Sequence, residues 1–179
     1  MAPVSLYDTS IALFINSNKA LRAILQKAKD HGGSSSPEEF ASARLIDDML
    51  PLSFQVQMVS NTSKKAVERM VPSKNPGPWE DNEKTLDQLI ARVDRTLELL
   101  QSVTPEDLKG KDEEVVELKL GSRGTATAEV KGYIFGYAIP NVLFHTMTTY
   151  SILRMKGVPV GKMDFLTSYL ENNLLTKPQ

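Results

Sequence analysis

Apolar positions in the first thirty residues recur at alternating steps of four and three. Tyr7, Ile11, Phe14, Asn18, Leu21, Leu25 and Ala28 fall on one stripe, which is the inward face of a bundle helix. The glycines and serines of "HGGSSSP" (31–37) end that helix and place His31 in an exposed loop, and "PEEFASARLI" then suits a short helix or an ordered loop. A second long helix is predicted from Asp47-Asp48 to about Met70, with Pro51 in its first turn. Its stripe reads Leu52, Val56, Val59, Ser63, Ala66 and Met70. Prolines and glycine make 71–81 a loop. A third helix follows over about 83–102, with Leu86, Leu89, Ile90, Val93, Leu97 and Leu100 facing inward, and Thr104-Pro105-Glu106 caps a short piece.

Between 115 and 130 the period falls to two: Val116, Leu118 and Leu120 alternate with Glu117 and Lys119, "GSRG" follows, and then "TATAEV". This predicts a small hairpin. A fourth helix spans about Tyr133 to Lys156 and stops at Gly157. Phe165, Leu166, Tyr169 and Leu170 imply a short terminal helix after the "VPVGKMDF" loop. Four amphipathic helices with a hairpin between the third and fourth predict an all-α fold, a four-helix bundle in a single domain over 1–179.

The fourth helix carries the chemistry. Its inward stripe is Ala138, Val142, His145, Thr149 and Ile152, so His145 is predicted at a core position. Beside it an i±4 ridge reads Tyr133, Tyr137, Asn141, His145, Thr149. Five residues able to hydrogen-bond cost stability in a core unless partners or a cavity await them. Asn18 and Ser63 also interrupt their stripes, with Gln55 and Asp48 nearby on the second helix. Pro140 removes one helical hydrogen bond and pushes on the carbonyl of Gly136, which predicts a kink near His145. His145 is then a satisfied core residue held by Tyr137 or Asp48, a ligand-binding or catalytic group, or, least favoured, a metal ligand.

Composition narrows the classes. Of 179 residues, 41% are hydrophobic and 24% charged, the formal net charge is −1, and the pI is about 6.1. No basic footprint for nucleic acid exists. The absence of cysteine removes disulfides, thiolate ligands and a cysteine nucleophile. No apolar run reaches the roughly 18 residues of a membrane span, and the N-terminus lacks a basic region followed by a long apolar core. The expectation is a soluble cytoplasmic protein.

"ARLIDDMLPLSFQVQ" (43–57), "SKKAVERM" (63–70) and "IPNVLFHTMTTYSILRMKGVPVGKMDF" (139–165) resemble an uncharacterised-domain family of the DinB/YfiT-like superfamily. The pattern P-N-x-x-F-H … L-R-x-x-G-V-x-x-G-K-x-D-F carries the likeness, which spans nearly the whole chain. It implies a DinB four-helix bundle. Better-studied relatives bind a divalent metal with three histidines, one on the second helix and an H-x-x-x-H pair on the fourth, several of them for thiol-dependent transfer or isomerisation. Here His145 matches the first of that pair, Thr149 stands in the second position, and no histidine lies on the second helix. Two histidines and no cysteine cannot make a His₃ site, so neither metal nor cofactor is expected.

One expectation is a binder of a small hydrophobic molecule or a metal-free enzyme doing proton-transfer chemistry, such as isomerisation, dehydration or cyclisation. His145 would move the proton, Asp48 would orient it, and Tyr137, Asn141, Thr149, Gln55 and Asn18 would line the pocket. The alternatives are a degenerate metal-dependent thiol-transferase-like enzyme, or a non-catalytic homodimer formed through exposed helix faces or "FLTSYLENNLL". The "VGKMDF" turn lacks the spacing of a phosphate loop. It closes onto the bundle, with Arg154 expected to bond Asp164.

Overall fold

A computed structural model describes residues 4–31, 37–119, 121 and 124–173. The long helices are α1 (Leu13–His31), α3 (Leu52–Met70), α4 (Leu86–Gln101) and α6 (Ile139–Met155); the short ones are α2 (Pro37–Ser42), α5 (Val130–Tyr133) and the terminal α7 (Lys162–Asn173). In the bundle α1 and α3 each touch both α4 and α6, α7 packs on α1, and α2 bridges α3 and α4. A hairpin of β1 (Val115–Lys119) and β2 (Thr125–Glu129) pairs Val116 with Ala128 and Leu118 with Ala126, between α4 and α5. Val116 and Leu118 point into the core while Glu117 and Lys119 face out, the alternation that the period of two predicts.

The predicted stripes are the buried ones. Ile11, Phe14, Asn18, Leu21, Leu25 and Ala28 of the first helical segment are fully buried, as are Leu52, Val56, Val59, Ser63, Ala66 and Met70 of α3. The polar members of two stripes pair with each other, Asn18 Nδ2 donating to Ser63 Oγ at 3.1 Å and also to the Phe14 carbonyl at 2.9 Å; off the stripes, Ser60 pairs with Thr96 at 2.7 Å. Asn18 Oδ1 accepts no hydrogen bond among the described residues. The loop before α4 is pinned by Arg92, whose buried guanidinium meets Glu83 at 2.7 Å, Asp81 at 2.6 Å and Asn61 at 2.8 Å. Thr85 and Gln88 close a capping box at the start of α4.

Three boundaries differ from expectation. α3 starts at Leu52, with Pro51 as its extended cap (φ −68°, ψ 170°), and Asp47-Asp48 lie in an exposed turn. The residue before a proline is held out of the helical region, so the helix cannot run back through Leu50 to the acids. His31 is the last residue of α1 rather than part of a loop, though it is exposed as expected. The last bundle helix begins earlier than expected, because α5, a π-turn over Ile134–Ala138 and α6 form one continuous rod. In the π-turn the Ile139 N–H reaches back five residues to the Ile134 carbonyl. That wide turn ends just before Pro140, so the hydrogen bond that the proline cannot donate falls where the regular helical ladder is already interrupted.

The rod ends as its sequence demands. Gly157 adopts φ +83°, and the Val158 N–H returns to the Leu153 carbonyl at 3.0 Å, a glycine-capped stop. Asp164 accepts from the Gly161 N–H at 2.6 Å and from Lys27 at 3.0 Å, so Lys27 rather than Arg154 takes its charge. Phe165 packs against the core and Tyr169 pairs with Ser17 at 2.6 Å, so α7 belongs to its own bundle; Leu174 and Leu175 lie outside the described residues.

The position of Gly136 has space for a side chain. It is exposed within the π-turn, and a Cβ built there meets nothing within 4 Å. Gly136→Ala is therefore expected to raise stability by about 0.5–1 kcal/mol, by removing backbone freedom from the unfolded chain. Urea unfolding checks this, and a loss of stability would mean that the turn needs glycine.

Candidate functional site

α3 and α6 run antiparallel, so Gln55 in the first turn of α3 lies opposite His145 midway along α6. Gln55 Nε2 donates to the Leu50 carbonyl at 2.9 Å. A carbonyl oxygen can only accept, so this bond fixes which end of the amide faces the other way. Gln55 Oε1 therefore faces His145 Nδ1, at 2.7 Å, and only a protonated Nδ1 can donate to it. The neutral ring then carries its lone pair on Nε2, and no described residue bonds that nitrogen.

The ring is half-buried rather than in the core, because it lies level with the start of α3, where the wall gives way to the 43–51 loop. Thr146 takes the fully buried position beside it. Phe54 and Phe144 meet the imidazole edge-on, with ring centroids 6.1 and 5.1 Å away. Burial lowers the His145 pKa from its ordinary value of 6.5, because the imidazolium loses hydration that no carboxylate replaces. The site thus holds an oriented neutral imidazole between two aromatic rings.

The other predicted site residues divide. Asn141, one turn before His145 on α6, is half-buried, and no side-chain hydrogen bond to it is found among the described residues. Thr149 is fully buried and its hydroxyl donates to the carbonyl of His145 at 3.0 Å, so it is a helix back-bond and not a pocket wall. Asn18 is bound to Ser63 on the bundle axis. Asp48 sits in the exposed turn, and Gln55, not Asp48, orients the histidine. Tyr137 stacks on Tyr133 with centroids 6.0 Å apart and lines a different cleft, with Lys65, Arg69 and Lys119. The π-turn, which contains Tyr137, lies between Tyr133 and Asn141 and interrupts the ridge.

A His₃ metal site does not fit these residues. The second position of the H-x-x-x-H pair is Thr149, whose hydroxyl is turned to the backbone. No three His, Cys, Asp or Glu side chains gather to hold an ion among the described residues. Among the same residues no helix is long and apolar enough to cross a membrane.

Comparison with known proteins places this geometry. The pattern of the family described as "Domain of unknown function (DUF1993)" matches residues 6–166. A solved structure of a DinB family member protein from Shewanella denitrificans superposes with a TM-score of 0.82 at 28% identity, covering 97% of this chain and 96% of that one. No curated protein matches.

The lowered pKa of His145 has a signed consequence for stability. In the folded protein the ring takes up its proton at a lower pH than in the unfolded chain, whose ordinary value is 6.5. Its contribution is therefore present above about pH 6.5 and is lost as the pH falls below it. Urea midpoints of wild type and His145→Gln, compared between pH 7.5 and 5, should show wild type losing stability relative to the variant. A constant difference across that range would contradict the lowered pKa.

Proposed function

The chain belongs to the family of the domain of unknown function DUF1993, and on that premise we propose that its DinB-like bundle binds a small hydrophobic molecule beside His145 and moves a proton on it. The observation that carries this reading is the imidazole held by Gln55 with Nε2 left unpaired between Phe54 and Phe144. A neutral imidazole with a free lone pair at pH 7 is a general base. Asn141 lies on the same face of α6, about 5–6 Å away between Cβ atoms by helical spacing. Its amide suits the oxygen of a bound carbonyl compound. In the proposed step Nε2 takes a proton from the carbon next to the carbonyl, the C–H electron pair becomes the enolate, and the amide N–H of Asn141 steadies the enolate oxygen. Returning the proton to a different carbon makes an isomerisation, and losing a β-hydroxyl as water makes a dehydration. The aromatic edges favour an apolar substrate. Asp48 has no part in this step, and Gln55 acts only by positioning the ring.

Self-association is a second reading, favoured by one feature. Residues 132–153 contain no Asp, Glu, Lys or Arg, yet Phe144 and Met147 are exposed at 60% and 42%. A second copy of the same uncharged face covers them without stranding a charge.

One experiment separates the two readings. Small enolisable ketones are incubated with the protein in D₂O, and exchange of the α-proton is followed by NMR. The first reading expects catalysed exchange that falls about 100-fold or more in His145→Ala, and falls in part in Asn141→Leu. Absence of catalysed exchange and of ketone-induced shifts at Phe54, Gln55 and Phe144 would refute it. A dimer in sedimentation that Phe144→Glu disperses would then support the second.

A further inference from the structure

The cleft that Tyr137 lines is built from different material. It lies between the C-terminal half of α3, the end of β1 and the π-turn, and encloses about 30 Å³ behind an open mouth. That is room for a water-sized group. Three cations line it, Lys65, Arg69 and Lys119, and no carboxylate does.

None of these cations forms an ion pair with a described residue, although twelve ion pairs join other described side chains. Two neighbouring carboxylates are committed elsewhere. Glu68 is held by Lys64 at 2.9 Å, and Asp81 by Arg92 at 2.6 Å. Glu117 shares the exposed face of β1 with Lys119, but Arg69 Nε takes its backbone carbonyl, at 2.9 Å. Lys65 and Arg69 are moreover one helical turn apart, a like-charge pair that weakens the helix carrying it. An uncompensated cluster of this kind is expected where an anion completes it.

Arg69 is fixed in place. Its Nε is spent on Glu117, one Nη on the Tyr133 hydroxyl at 3.0 Å, and its guanidinium lies 4.9 Å from the centroid of the Tyr133 ring. A fork held this way keeps its remaining N–H groups aimed in one direction and loses little freedom on binding. Tyr137 lines the same cleft, and no described residue hydrogen-bonds its hydroxyl. The π-turn, which widens the helix by one residue, carries this tyrosine; such turns recur at functional sites.

We propose that this cleft binds a compact dianionic oxyanion, a phosphate group, between Lys65, Arg69 and Lys119, with the Tyr137 hydroxyl as a further donor. Three cations, one of them a fixed guanidinium, favour two negative charges over one. The enclosed volume takes one oxygen of such a group and leaves the rest of it, with whatever it is attached to, in the open mouth. This site is separate from the Gln55–His145 pair and does not depend on its role.

The test is titration of the ¹⁵N-labelled full chain with inorganic phosphate, against sodium chloride at matched ionic strength. Saturable shifts are expected at the amides of Lys65, Arg69, Lys119 and Tyr137, and acetate should bind at least threefold more weakly. Lys65 and Lys119 are exposed, so the double variant Lys65→Gln/Lys119→Gln keeps the fold and is expected to weaken phosphate at least fivefold, while His145→Ala leaves it unchanged. Shifts that follow ionic strength without saturating, equal affinity for acetate, or full affinity in the double variant would each overturn the assignment.

Discussion

The carbonyl of Leu50 can only accept a hydrogen bond, and the candidate site depends on that constraint. It sets the orientation of the Gln55 amide, which in turn sets the protonated nitrogen of His145. The order of elements makes this relay possible. Pro51 stops the helix from extending backwards, so the Leu50 carbonyl is left outside the helical ladder, free to receive a side chain from the first turn of α3. Had the helix begun at the two acids, that carbonyl would accept from a helical N–H, and the amide of Gln55 would lack its anchor.

The second organising feature is the π-turn of the last bundle helix. Read as an ideal α-helix, 133–149 presents a single polar ridge. The turn, which contains Tyr137, lies between Tyr133 and Asn141 and interrupts that ridge. One tyrosine pair faces the hairpin and α3, where Arg69 packs on the Tyr133 ring, and the histidine faces the start of α3. One helix therefore serves two different environments, an apolar one flanked by phenylalanine rings and a cationic one.

Much of the fold was legible in the sequence, because core stripes, turns and caps are local patterns. Phe14, Leu21, Val56, Leu89 and Val93 are buried where a 3.6-residue period places them, and Val116 and Leu118 where a period of two does. Legibility ended where an interaction joins distant segments or a local rule overrides a pattern. Asp48 looked like the natural partner of His145, but Pro51 moved the helix start and left Asp48 in solvent. Gln55 was recognised as a site residue, yet its bond to Leu50, and hence its orienting role, has no sequence signal. Thr149 stood on the polar ridge, but a threonine in a helix has the carbonyl one turn back as a ready partner. The cluster of Lys65, Arg69 and Lys119 was missed outright. Lys65 and Arg69 are one helical turn apart, but Lys119 is about fifty residues further along the chain, and only the packing of β1 on α3 brings it to them.

The likeness in fold to a DinB family member gives the architecture and stops short of a donor set, since this chain has Thr149 where a second histidine would stand. What this chain offers instead is one imidazole with a defined tautomer, and that is the claim to test first. Proteins labelled with ¹⁵N at the histidine ring nitrogens give separate signals for protonated and unprotonated nitrogen. At pH 7 the account predicts that His145 shows a protonated Nδ1 and an unprotonated Nε2, and that Gln55→Leu abolishes the preference. A protonated Nε2 in the wild-type protein, or a tautomer indifferent to Gln55, would contradict it.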